Sequence, residues 1–79
     1  MKNITIEYFA VLRERAGVSQ ELLSTAAETP TQLFEELAQR HSFPVLRSVK
    51  VAINDEFSDW DTPLVNGDSV VFIPPVAGG

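Results

Sequence analysis

The sequence predicts an α+β fold, a mixed β-sheet packed against one main helix. Runs with strand-like alternation open and close the chain, and a single long amphipathic segment breaks them. Clusters of Gly, Asn, Asp and Pro mark the turns between them. The 79 residues suffice for one domain. A domain this short buries only about 60–65% of the surface its unfolded chain exposes. A private active-site cavity would compete with the core for the same apolar side chains. Function is therefore expected on a surface or at a chain end.

Ile4, Ile6 and Tyr8 alternate with Asn3, Thr5 and Glu7, which predicts a first strand. Phe9 falls on the polar side of that alternation and is expected to point outward. Val11 to Gly17 reads as a short helical turn, with Leu12 and Ala16 one turn apart and Gly17 suited to a left-handed helix end. Ser19 to Ser24 forms a weaker second strand, with Leu23 as its inward residue. Thr29-Pro30-Thr31-Gln32 starts the main helix: Thr29 caps it, Pro30 loses nothing in the first turn, and Gln32 completes a capping box. Leu33, Phe34, Leu37, Ala38 and His41 share one face, and Glu36 and Arg40 stand i, i+4 on the other. The helix should stop near His41 or Ser42, because Pro44 biases Phe43 out of helical geometry.

Val49, Val51 and Ile53 alternate as a third strand, and Asn54-Asp55 begins a turn. Phe57 to Trp60 is the expected fourth strand. Asn66-Gly67-Asp68 is the strongest turn signal, followed by a last strand from Ser69 to Ile73. Pro74-Pro75 ends that strand, since proline cannot donate to a ladder. The predicted core is Ile4, Ile6, Tyr8, Leu23, Leu33, Phe34, Leu37, Val51, Ile53, Leu64, Val70 and Phe72. The predicted units are a domain over residues 1–73 and an extended tail over 74–79.

Composition excludes several functions. Six basic against eleven acidic residues give a formal charge of -5. A nucleic-acid binder normally shows the opposite balance, so no nucleic-acid partner is expected. A mildly acidic surface suits a partner with a basic docking face, and it also serves solubility alone. The absence of cysteine removes disulfides, thiolate metal sites, iron–sulfur clusters and a cysteine nucleophile. The N-terminus has no signal-peptide pattern, and no stretch approaches the roughly 20 apolar residues of a membrane span. A cytoplasmic location without membrane attachment is expected.

The tail Pro74-Pro75-Val76-Ala77-Gly78-Gly79 is the most informative stretch. Two closing glycines arise by chance in about one chain in 200, so the pair alone does not decide between a functional end and a frayed one. Its setting argues further. The prolines stiffen the exit from the last strand, and the side chains then shrink stepwise to none. Such a tail can thread a narrow channel and present its terminal carboxylate to a buried active site. A processing scar is the competing reading. A carboxylate needs activation to react: adenylation would provide a leaving group, and a sulfur nucleophile would then give a thiocarboxylate or thioester. The chain has no P-loop or phosphate-cradling glycine pattern, so that machinery belongs to a partner.

A second feature points to docking. With Val70 and Phe72 inward, Val71 and Ile73 face outward, and Phe9 joins them if the first and last strands are neighbours. That would be an apolar patch leading into the tail, although scattered exposed apolar residues are also normal. Asp55, Glu56, Asp59 and Asp61 lack the spacing of a calcium loop and read as a solvated turn, so no metal site is expected. Ser24, Thr25 and His41 make no recognisable nucleophile–base set. His41 reads as a partly buried helix-end residue favoured by the helix dipole.

With these residues in place, the sequence resembles the small-subunit family of molybdopterin synthase, ubiquitin-like sulfur carriers with a β-grasp fold. Tyr8 to Gly17, Val51-Ala52-Ile53-Asn54, and Asn66-Gly67-Asp68 through Phe72 to Gly79 carry the resemblance. The closing Gly-Gly is shared by many ubiquitin-like proteins. The combination of Phe-Ala-x-Leu-Arg-Glu, Gly-Asp and Pro-Pro-Val-x-Gly-Gly is much more specific. The loop from Ser42 to Ser48 matches least.

The resemblance implies that an E1-like adenylating enzyme activates Gly79 with ATP and that a sulfur-donating enzyme supplies the sulfur of a thiocarboxylate. The tail, Pro74, Pro75, Val76, Ala77 and Gly78, then threads into the molybdopterin synthase large subunit. There Gly79 donates sulfur to a pyranopterin precursor, and two donations build the dithiolene. Phe9, Val71 and Ile73 fall in the partner-binding surface of a heterotetramer. This chain binds no cofactor tightly, and ATP belongs to the activating partner. Other readings stay open: a carrier of the thiamine thiazole type, a ubiquitin-like protein modifier, or a plain β-grasp interaction module.

Overall fold

The computed structural model describes residues 1–44 and 48–75. The chain runs β1 (Lys2–Tyr8), α1 (Ala10–Ala16), β2 (Gln20–Thr25), α2 (Pro30–His41), β3 (Lys50–Ile53), β4 (Glu56–Ser58) and β5 (Ser69–Ile73). The five strands form one sheet in the order β2-β1-β5-β3-β4. The β1–β5 pair is parallel and the other three are antiparallel. The mixed sheet holding one main helix is the β-grasp arrangement. Among the described residues no helix is long and apolar enough to cross a membrane.

Alternation decides which side chains go inside. Ile4, Ile6 and Tyr8 of β1, Leu23 of β2, Val51 of β3, and Val70 and Phe72 of β5 enter a single core with Leu33 and Leu37 of α2. Each such side chain contributes about 1.5–3 kcal/mol on full burial. The core also takes Leu12 and Ala27, which the alternation does not predict. Phe34 and Ile53, predicted as core, only pack partly buried against it. Phe34 joins an aromatic cluster, 4.9 Å from Phe72 and 5.6 Å from Trp60 between ring centroids.

The turns follow local chemistry. The Thr29 hydroxyl accepts from Gln32 N at 3.3 Å, and Gln32 Oε1 accepts from Glu28 N at 2.8 Å. The capping box thus reaches one residue further back than its usual form. Gly17 closes α1 at φ 79° and Ser42 closes α2 at φ 55°. Asn54 and Asp55 have φ of 52° and 70°, so the β3–β4 hairpin turns through two left-handed residues. That geometry matches the twist of the strands it joins. The fourth strand therefore begins at Glu56 and ends at Ser58; Trp60 lies beyond it.

The Asn66-Gly67-Asp68 turn ties three strands together. Asn66 Oδ1 accepts from Asn3 N at 2.7 Å, and Gly67 N donates to Asn3 O at 2.8 Å. Asp68, almost wholly buried, accepts from Asn54 Nδ2 at 2.9 Å and from Val65 N at 2.9 Å. Asn54 Oδ1 in turn accepts from Ser69 N at 3.0 Å. These bonds fix where β5 starts relative to β1 and to the β3–β4 hairpin.

Candidate functional site: the uncovered sheet face

α2 packs on one side of the sheet, and among the described residues no helix covers the other. On the opposite side, register places Glu7 beside Val71, Val71 beside Ala52, and Ala52 beside Phe57. One step toward the strand ends, Ile73 pairs with Lys50. Phe9 caps α1 from extended backbone, and Ala10 follows at φ 51° in a sharp turn into the helix. Phe9, Val71 and Ile73 thereby line one apolar depression of about 290 Å³, with Ala52 and Phe57 across from them. The three outward residues selected from the sequence are thus brought together. The parallel β1–β5 pairing accounts for it.

Phe57 is 72% exposed and belongs to the same surface, yet alternation in a three-residue strand does not single it out. Its pairing with Ala52 is what places it there. Lys50 Nζ lies 5.9 Å from the Phe57 ring centroid and bounds this side of the depression with a positive charge. β5 leads from here directly to Pro74, which is buried, and Pro75, which is exposed. Pro75 also borders a smaller depression against Ala10, Val11, Arg13 and Glu14 of α1. Val76, Ala77, Gly78 and Gly79 lie outside the described residues.

The titratable cluster of the molecule sits elsewhere, where β1, β2 and α2 meet. The Tyr8 hydroxyl donates to Glu21 Oε1, and His41 Nε2 lies 3.0 Å from the same oxygen. Burial, and then the hydrogen bond and charge of Glu21, push the Tyr8 hydroxyl well above its ordinary range. Burial alone would raise Glu21, but the hydrogen bonds from Tyr8 and His41 outweigh it and hold its carboxyl below the usual value. The cluster is filled by its own members and offers no free nucleophile. His41 is the partly buried helix-end residue expected, with Glu21 as a partner that only the strand register reveals. Asp55, Glu56, Asp59 and Asp61 make no metal-ligand group among the described residues.

A mixed five-stranded sheet with one main helix on one face places the chain in the class of ubiquitin-like β-grasp domains. The chain belongs to the ThiS family, whose profile matches residues 6–79. It is 34% identical over 80 residues to a molybdopterin synthase sulfur carrier subunit of Haemophilus influenzae, covering 96% of this chain and 99% of that one. A solved Pyrococcus furiosus chain assigned as molybdopterin converting factor subunit 1 superposes with TM-score 0.80 at 30% identity, covering 96% of this chain and 100% of that one. A chain from the complex of subunits 1 and 2 of the Helicobacter pylori molybdopterin-converting factor superposes with TM-score 0.68 at 25% identity, covering 98% and 99%. The fold is thus that of the sulfur carriers.

Proposed function

We propose that this chain is the sulfur carrier subunit of molybdopterin synthase. Its reactive group is the carboxylate of Gly79, borne on a tail of residues 74–79 that extends from a 1–73 domain. An E1-like adenylating enzyme transfers AMP from ATP to that carboxylate, releasing pyrophosphate. Sulfide-level sulfur supplied by a donor enzyme then attacks the acyl carbon, the acyl–phosphate C–O bond breaks, AMP leaves, and a thiocarboxylate forms. The tail enters the large subunit and delivers the sulfur to the pyranopterin precursor, and two deliveries complete the dithiolene. The assembly is a cytoplasmic heterotetramer in which this chain acts as co-substrate. It has no resident cofactor.

The observation that supports this most is the continuity of the apolar face with β5. Phe9, Val71 and Ile73 give a partner something to grip beside the strand that leads into the tail. A docked face of this kind fixes where the tail begins, so that a short segment can reach a buried site. Removing Gly78 and Gly79 tests the reading. The truncated chain should keep its melting temperature and its binding to the large subunit, and should lose all dithiolene formation in a reconstituted synthase. Activity retained without the two glycines would leave only an interaction module. A product carrying this chain on a lysine would instead identify a protein modifier.

A further inference from the structure

A second depression, of about 250 Å³, adjoins the apolar one on the same face. Thr5, Gln20 and Ser69 contribute to its lining, and Glu7, Asp55 and Val71 line both depressions. The two therefore meet over an apolar side chain with a carboxylate on each side. Among the described residues, neither Glu7 nor Asp55 has an ion-pair partner or a side-chain hydrogen bond. The Asn54 side chain beside them is engaged with Asp68 and Ser69. The Thr5, Gln20 and Ser69 side chains remain available as hydrogen-bond acceptors. A divalent cation is not the better occupant, since no group of three His, Cys, Asp or Glu side chains that could hold a metal ion exists among the described residues.

We propose that a single basic side chain of the large subunit, an arginine, reads this junction. The inference rests on the sulfur-carrier reading and adds the chemistry by which the partner is recognised. The arginine stem lies along Val71, as long cationic side chains do on apolar surface. Its guanidinium stands between Glu7 and Asp55, where five N–H donors match two carboxylates and the hydroxyl and amide oxygens beside them. A lysine ammonium would satisfy fewer of those acceptors. Lys50 bounds the apolar depression from the β3 side, so the face carries negative charge toward one end and positive charge toward the other. That polarity admits a partner in one orientation, and the net charge of -5 speeds its approach.

The test compares wild type, Glu7→Gln with Asp55→Asn, and Ile73→Asp for binding to the large subunit of the same organism, at low and high salt. Asparagine tolerates the left-handed backbone of position 55, so the paired variant keeps the turn. The paired variant should bind about three- to tenfold more weakly at low salt and show a flatter salt dependence. Ile73→Asp should weaken binding at both salts. Wild-type affinity and salt dependence in the paired variant, with Ile73→Asp still weakened, would overturn the arginine site and leave the carrier reading standing. Failure of wild type to bind the large subunit at all would overturn both.

Discussion

On β5, Val70 and Phe72 are fully buried, while their neighbours Val71 and Ile73 stay half-buried on the other side of the sheet. All four are large and apolar, so hydrophobicity does not separate them. Cover does. The inner pair meets Leu33, Leu37 and the aromatic cluster around Phe34. The outer pair meets Phe9, Ala52 and Phe57, which stand on the same uncovered face. A sheet needs one covered face to fold, and an uncovered face this apolar is better explained by docking than by stability.

Substitutions along β5 should expose that division. Phe72→Ala leaves a cavity in the core and should cost about 3–5 kcal/mol, read as a large fall in urea midpoint. Ile73→Ala removes apolar area that is only half-buried and should cost about 1 kcal/mol in the same measurement. The same two variants should rank the other way in binding once compared as folded protein, with Ile73→Ala the weaker partner. Equal stability losses would mean that the outer face is also core.

At the edge of the covered side, Thr29→Ala removes the side-chain cap of α2 and should cost about 1 kcal/mol. The Tyr8–Glu21–His41 cluster gives the inner side a pH signature. Glu21 is held below its ordinary value of 4.5, so the unfolded chain binds its proton more readily. Its stabilising contribution is complete above that value and is lost as pH falls through the lowered one. Glu21→Gln should flatten the acid limb of an unfolding curve measured against pH, and an unchanged acid limb would remove Glu21 as its source. The smallest effect belongs to the exposed Glu36–Arg40 pair, 3.8 Å apart. Arg40→Gln removes that pair and leaves the Glu36–Thr25 hydrogen bond in place, so stability read from the urea midpoint should change by no more than about 0.5 kcal/mol.

Much of this organisation is legible in the sequence because period two assigns sides. The inward set of β1 and the outward Val71 and Ile73 follow from alternation, and the β5 bounds from the Asn66-Gly67-Asp68 turn before it and Pro74-Pro75 after it. Thr29-Pro30 likewise announces the start of α2 by its local chemistry. What alternation does not give is neighbours. Phe57 joins the docking face, and Glu21 meets His41, only through strand register and helix position. Leu12 reaches the core because Gly17 and the sharp turn at Ala10 set α1 against the sheet, which a seven-residue helical pattern does not foretell. Asn66-Gly67-Asp68 is legible as a turn, but its role as the clamp between β1, β5 and the β3–β4 hairpin needs the bonds themselves.

The central claim concerns one atom. The protein would be incubated with ATP, the adenylating enzyme and a sulfur donor, and its C-terminal peptide sequenced by tandem mass spectrometry. Localisation is essential, because oxidation of Met1 adds nearly the same mass as exchanging oxygen for sulfur. Sulfur on Gly79 is the predicted result. An unmodified Gly79, under conditions that charge another carrier with the same enzymes, would contradict the account.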